Sequence, residues 1–329
     1  MNKLFLSLLL FFTVELFAGD WLIGPGIYMN RGDNIFETGN KFPNLSGIQG
    51  GSRITYNRDF NFIGLEALYL QDKFAFSANL SGVPWRINPG NSRDEDFVMG
   101  TITTERGSKM DLARGKVFDT AHTFTGTVNF ADGHTRTSMS EYAYDFHLQV
   151  YENSANPKPG REDQWFLMLG LKYNYAKYYL YDVMQFINSR PIFYGPIGNG
   201  LTYSYSSLEL PFGFGYSFNY SSFFVEPSFE LLLAYNRFRD FHIQRALNFI
   251  GNNFGSGFQY QVNIGYFVFE NSILKFNFKG HRQFSDGNFK TSGGLNVNDI
   301  SSNFLGSFRS YVSTKEVSLG FQFLHRMSH

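Results

Sequence analysis

The sequence predicts an all-β chain, a transmembrane antiparallel β-barrel of about ten strands with long extracellular loops and short periplasmic turns. Three observations lead there. Aromatic residues make up 19% of the chain, with 39 Phe and 20 Tyr, while mean hydropathy is only −0.23. A soluble core has no need of so much Phe beside so many polar residues, whereas a wall with one face in lipid and one in water does. Apolar and small or polar residues alternate with period two along much of the chain, which separates the two faces of a strand. The connections alternate as well, tight turns against long Gly/Asn/Ser-rich loops.

Taken in order, strands are expected near 20–32, 47–70, 73–84, 136–151, 164–182, 199–220, 223–242, 255–270, 274–285 and 305–324. Phe74, Phe76, Ala78 and Leu80 alternate with Ala75, Ser77, Asn79 and Ser81. Tyr144, Phe146, Leu148 and Val150 alternate with Asp145, His147 and Gln149. Leu208, Leu210, Phe212, Phe214, Tyr216 and Phe218 form the longest such row, and Leu274, Phe276, Phe278 and Val317, Leu319, Phe321, Phe323 repeat it near the end. Tight turns fall at Gln71-Asp72, Ser221-Ser222 and Glu270-Asn271-Ser272, with a longer polar one from Glu152 to Asp163. Long loops fall near 33–46, 84–135, 183–198, 243–254 and 286–303. Asn57-Arg58-Asp59-Phe60-Asn61 could itself be a turn dividing the second strand. Several strands exceed the ~9–11 residues that cross a bilayer, so the barrel is expected to project beyond the membrane. Phe212, Phe214, Phe276, Phe278, Leu319 and Phe321 are expected to face lipid. Such barrels usually end on an aromatic residue, whereas here Phe323 is followed by Leu-His-Arg-Met-Ser-His.

Residues 1–19 read as a secretory signal peptide, with Lys3 as the charged start, Leu4 to Val14 as the apolar run and Ala18-Gly19 as small residues for cleavage. Leu16, where a small residue is usual, departs from that pattern. Residues 20–329 then form one barrel domain in the outer membrane of a Gram-negative or spirochaetal cell. Past the signal, no apolar run approaches the ~20 residues of a spanning helix. The chain has no Cys, so neither disulfides nor lipid attachment at Cys contributes. Formal net charge is +0, which gives no field for nucleic acid. No cofactor is expected, and Asp111, Asp119, His122, Asp132 and His134 in the second long loop have no diagnostic metal-ligand spacing.

Two short groups carry chemistry. Asp94-Glu95-Asp96-Phe97 lies in the second outer loop, and Asp240-Phe241-His242 lies where the seventh strand ends. Counting hairpins brings both to the same rim. On a strand, positions i and i+2 share a face about 6–7 Å apart, so Asp240 can orient and charge-stabilise His242. Asp94 and Asp96 form a like-charged pair, whose repulsion raises the pKa of one member. A water between that pair and His242 would have a base to activate it. The plain alternatives are a solvated acidic loop and a structural hydrogen bond, with Arg93, Arg239 and Arg245 neutralising the carboxylates.

On this barrel the two motifs resemble those of the omptins, outer-membrane aspartyl endopeptidases of Gram-negative bacteria. The resemblance covers most of the chain in strand order and turn placement, and its specific part is Asp94-x-Asp96-aromatic together with Asp240-x-His242. It implies water-mediated peptide hydrolysis by Asp94, Asp96, Asp240 and His242 on polypeptides at the cell surface. It also implies a substrate-binding carboxylate on the first strand, for which Asp33 is the counterpart. A second such carboxylate would lie two residues before Asp240, where this chain has Phe238, which puts a preference for Arg or Lys in doubt. The omptin lipopolysaccharide motif Tyr-x-Glu-x-Arg has its counterpart in Tyr173-Asn174-Tyr175-Ala176-Lys177, so an outer-membrane lipid of lipopolysaccharide type is expected near Tyr173 and Lys177. The Glu of that motif is missing. The other reading is a non-catalytic barrel resembling the porin-type or surface-binding barrels of spirochaetes, and on either reading a monomer is expected. Inward Glu66, Asp145, His147, Glu226 and Glu230 would form a charged plug and argue against a general diffusion pore.

Overall fold

The structure, a computed structural model, describes residues 19–41, 49–83, 85–98, 101–103, 109–111, 116–118, 128–187, 190–194, 198–269 and 271–327. The signal-peptide expectation therefore lies outside the described residues. Its strands are β1 (Asp20–Lys41), β2 (Gln49–Asn57), β3 (Phe60–Gln71), β4 (Phe74–Gly82), β5 (Ser92–Val98), β6 (Thr101–Thr103), β7 (Lys109–Asp111), β8 (Lys116–Phe118), β9 (Val128–Tyr151), β10 (Gln164–Ile187), β11 (Arg190–Tyr194), β12 (Asn199–Tyr220), β13 (Phe223–His242), β14 (Leu247–Phe269), β15 (Ser272–Gly293) and β16 (Phe308–Met327). A short helix α1 (Val297–Ser302) precedes the last strand.

All wall neighbours are antiparallel, and the β9–β10 and β1–β16 ladders close the sheet on itself. β2 and β3 pair in succession with β1, and β4 and β5 pair in succession with β9. Each couple continues a single wall position, so the twelve segments make ten positions around the barrel. The stretch 57–61 is thus an interruption within one strand. Asp59 replaces a ladder bond there, its Oδ1 accepting the Gly32 backbone N–H at 3.1 Å. Between β4 and β5, Ile87 stays on the wall through reciprocal backbone bonds with Met139 of 3.0 and 2.8 Å.

Tight turns at 72–73 and 221–222 mark one end, where Asp72 takes a positive φ of 48°. The polar connection 152–163 shares that end, and the 3-10 turn after β13 and the helix α1 lie at the other. Strands of 20 to 24 residues reach roughly 70 Å at ~3.3 Å per residue, more than a tilted crossing uses. β1, β14 and β15 run farther toward the loop end than the alternation suggested, because a wall standing in water on both faces carries no apolar row. Asn248, Asn252, Asn253, Ser256 and Gly257 on β14 illustrate this.

The outer face of the lower wall is apolar. Leu167, Leu169, Phe212, Phe214, Leu231, Leu233, Phe276 and Phe321 are exposed there, and Phe278 and Leu319 share their faces while partly covered. Higher on the same face of β13 stand the exposed cations Arg237 and Arg239, so the lipid band ends below His242. No described helix is long and apolar enough to cross a membrane.

Inside, the band-level lumen holds paired charges. Arg58 grips Glu141 at 2.7 and 2.8 Å and Glu316 at 2.8 Å. Lys275 reaches Glu66 at 2.7 Å, His147 bridges Asp145 at 2.9 Å and Glu230 at 3.2 Å, and Arg161 holds Glu226 at 3.0 Å. The expected inward carboxylates and His147 all take part. Cavities of about 140, 70 and 70 Å³ lie among them. Above lies an aromatic layer in which Tyr56 stacks on Tyr203 at 4.3 Å and Phe36 meets Phe238 at 4.6 Å.

Candidate active site

Above the aromatic layer, inside the loop end of the barrel, lies a cavity of about 560 Å³. Asp94, Asp240 and His242 all line it. β5 and β13 are four positions apart on the ten-position ring, so Asp94 faces the Asp240–His242 pair across the lumen. The even-numbered residues of β13 point inward: Leu232, Ala234, Asn236, Phe238 and Asp240 are all buried, and His242 continues their row. A single 3-10 turn, Ile243–Arg245, then closes with Ala246 in the left-handed region at φ 46°. That turn ends the strand and leaves His242 at its inner tip.

Asp240 is 2% exposed, and its Oδ2 lies 3.2 Å from Nε2 of His242. Burial opposes a charge on the His242 ring. The Asp240 carboxylate outweighs it by charge and hydrogen bond, and Asp94 adds in the same direction against Arg245. The net effect holds the His242 pKa above its ordinary 6.5. Asp94 accepts a hydrogen bond from Ser52 Oγ at 3.2 Å, which fixes it from the neighbouring strand. The side chain of Asp96 lies outside the described residues, while its backbone pairs with Ser52.

The three neighbouring arginines are placed differently. Arg245 lines the cavity but is held by both carboxylate oxygens of Asp299, on α1. Arg239, on the outer face, donates to Asn248 at 2.8 Å and covers the Phe241 ring. Arg93 follows the opposite face of β5 from Asp94 by alternation.

Asp33 does not join the cavity. Its neighbours Asn34 and Phe36 face inward, Asn34 accepting from the Tyr203 hydroxyl at 3.4 Å, so the odd-numbered Asp33 belongs to the outer face between Asn57 and Lys315. A one-residue offset in a period-two strand is enough to reverse the face. Tyr173 and Lys177 both stand on the outer wall of β10. Tyr173 is 39% exposed and Lys177 sits 5.1 Å over the Tyr179 ring, which Arg86 also covers at 3.7 Å. Of the second-loop acids and histidines, Asp119 and His122 lie outside the described residues, as do the side chains of Asp111, Asp132 and His134.

Tyr56 was not legible as a site residue. It is fully buried under the cavity floor, and its hydroxyl and Oδ1 of Asp240 are both buried without a hydrogen-bond partner among the described residues. Burial, then the Asp240 charge, push its pKa well above 10.0, with Asp94 contributing. A neutral Tyr56 is therefore a donor beneath both carboxylates. Its only sequence signal is inward parity with Ser52 and Ile54.

A closed antiparallel wall with an apolar outer band, a filled lumen and loops at one end defines an outer-membrane β-barrel. The chain belongs to the Putative porin family, whose model matches residues 41–321. No curated protein matches its sequence. Among solved structures it is similar to the outer membrane protease OmpT from Escherichia coli, with TM-score 0.68 and 12% identity over 94% of this chain and 97% of that one. The outer membrane protein OprG from Pseudomonas aeruginosa aligns over 94% and 97% of the two chains with TM-score 0.34 and 10% identity. The likeness to OmpT is one of fold.

Proposed function

We propose that this barrel is a surface endopeptidase in which Asp94, Asp240 and His242 activate a water for peptide hydrolysis. The observation that carries the reading is that an isolated Asp–His pair and a carboxylate from a nearly opposite strand line one cavity above the lipid band. Asp240 holds Nε2 of His242, which leaves Nδ1 to take the proton from a water steadied by Asp94. The hydroxide adds to the scissile carbonyl. Collapse of the tetrahedral intermediate then breaks the C–N bond, and His242 returns the proton to the departing amine. Asp96 is proposed as the partner carboxylate of Asp94, while Asp33, on the outer face, is given no part. An anionic outer-leaflet lipid is proposed as the partner of the outer wall at Tyr173 and Lys177, where the cation stands at the upper edge of the apolar band.

The test is cleavage of a mixed peptide library by refolded protein. Wild type is expected to cleave, and His242→Ala and Asp94→Ala to lose about 10²–10⁴-fold in rate with the barrel still folded. No cleavage by wild type, or equal cleavage by the variants, would overturn the reading.

The family favours a second reading, a non-catalytic barrel that serves as a pore. The charged plug and the aromatic layer argue against the pore. Planar-bilayer recording distinguishes the two, with no single-channel steps expected of a closed lumen and regular steps expected of a pore.

A further inference from the structure

We infer that the cavity takes a large apolar side chain of an extended peptide beside the reacting carbonyl, and disfavours a basic one. This rests on the hydrolase reading for the word reacting, but the recognition itself rests on the cavity wall. Phe36, Ile54, Leu201 and Phe289 form its lower wall and are 3%, 3%, 6% and 5% exposed. Phe249 joins them, 5.8 Å from Phe289 and 5.0 Å from the His242 ring. Directly beneath, Phe238 closes the floor at 1% exposure, packed on Phe36. Gly251 makes that packing possible, since a Cβ there would lie 2.4 Å from the Phe238 ring.

A cation entering this space meets two carboxylates on the described wall, both of which the proposed reaction uses. Asp240 is engaged by His242, and Asp94 is held by Ser52 and faces the reacting centre. Arg245 at the rim is already paired with Asp299, and the burial that raises apolar affinity penalises an ion left without a partner. The volume of about 560 Å³ accommodates a Leu or Phe side chain together with adjoining backbone. Hydrophobic pockets of this kind discriminate by the apolar surface they bury.

The experiment uses matched, labelled octapeptides of Ala, Gly and Ser that differ at one central residue, Leu, Phe, Lys, Arg or Glu. Binding to refolded full-length protein is read by anisotropy at pH 5, where a charged His242 slows hydrolysis, and cleavage is read at pH 8. The Leu and Phe peptides should bind and be cleaved about tenfold or more better than Lys and Arg. Phe289→Asp should reverse the order by supplying a carboxylate to the floor, and Leu201→Asp offers the same reversal from another strand should the first variant fail to fold. Apolar preference in binding that these variants abolish, with no cleavage of any peptide, would sink the hydrolase reading and leave this one standing. Equal binding of all peptides, or preference of wild type for Lys and Arg, overturns the inference whether or not cleavage occurs.

Discussion

Removing Glu141 tests whether the lumen is a dry, paired plug. Arg58 leaves the β2–β3 interruption pointing inward, and its side chain is 3% exposed against 8% for Glu141. Both Nη atoms are spent on the Glu141 carboxylate, at 2.7 and 2.8 Å, while Nε serves Glu316 at 2.8 Å. Glu141 also accepts from Asn174 at 2.8 Å. Glu141→Ala therefore removes the acceptor of both guanidinium Nη atoms, leaving Nη1 the Tyr178 hydroxyl at 3.4 Å, and that of one amide. Loss of one partner from a buried pair costs about 3–5 kcal/mol. Arg58→Met strands Glu141 and Glu316 and should cost a similar amount. In the double variant neither charge of the Arg58–Glu141 pair is left facing an apolar group. Its loss should fall short of the sum of the single losses by about 0.5–3 kcal/mol, the coupling between contacting groups. The assay is reversible urea unfolding of the barrel in lipid vesicles, followed by intrinsic fluorescence. A Glu141→Ala variant within about 0.5 kcal/mol of wild type, the range of solvated surface changes, would mean that water reaches Arg58 and the lumen is open.

Three further outcomes follow from the same geometry. A rate that needs neutral His242 should rise with pH through an inflection above the ordinary 6.5, and Asp240→Asn should move that inflection downward, because it removes the charge that raises it while burial still opposes the cation. An inflection that does not move would assign the profile to another group. Phe212, 44% exposed on the lipid face, should tolerate Leu, whereas Phe212→Arg should lose about 2–4 kcal/mol in vesicle unfolding if it stands near the midplane; no loss would mean the face is wet. Lys177→Ala should weaken the salt-sensitive binding of anionic outer-leaflet lipid to the wall while zwitterionic lipid is unaffected, and indifference to the substitution would remove Lys177 from any lipid contact.

The wall was readable where its two faces meet different solvents. Leu208 to Phe218 alternates because lipid lies outside and a small-residue lumen inside, and both ends of β12 and β13 fell where the pattern placed them. It faded where both faces meet water, which is why β1 continues to Lys41 and why β5, with Asp94 on it, read as loop. The site was legible in part for the same reason. Asp240 and His242 were two residues apart on a strand already recognised, so their common face followed from period two. Asp33 was placed by resemblance to a motif, and the one-residue parity that turns it outward could be known only once Asn34 and Phe36 were seen inside. Tyr56 and Ser52 on β2, Arg245 on the 3-10 turn and Asp299 on α1 come from three separate elements, and no local pattern ties them together.

The most direct measurement of the central claim is a double-mutant cycle on single-turnover peptide cleavage, comparing wild type with Asp94→Asn, His242→Ala and the two combined. Groups that act on one water lose their effect together, so the double variant should be about as slow as the slower single variant, with each single loss near 10²-fold or more. Losses that multiply, a single variant that retains full rate, or a wild type that cleaves nothing would each contradict a shared water between Asp94 and His242.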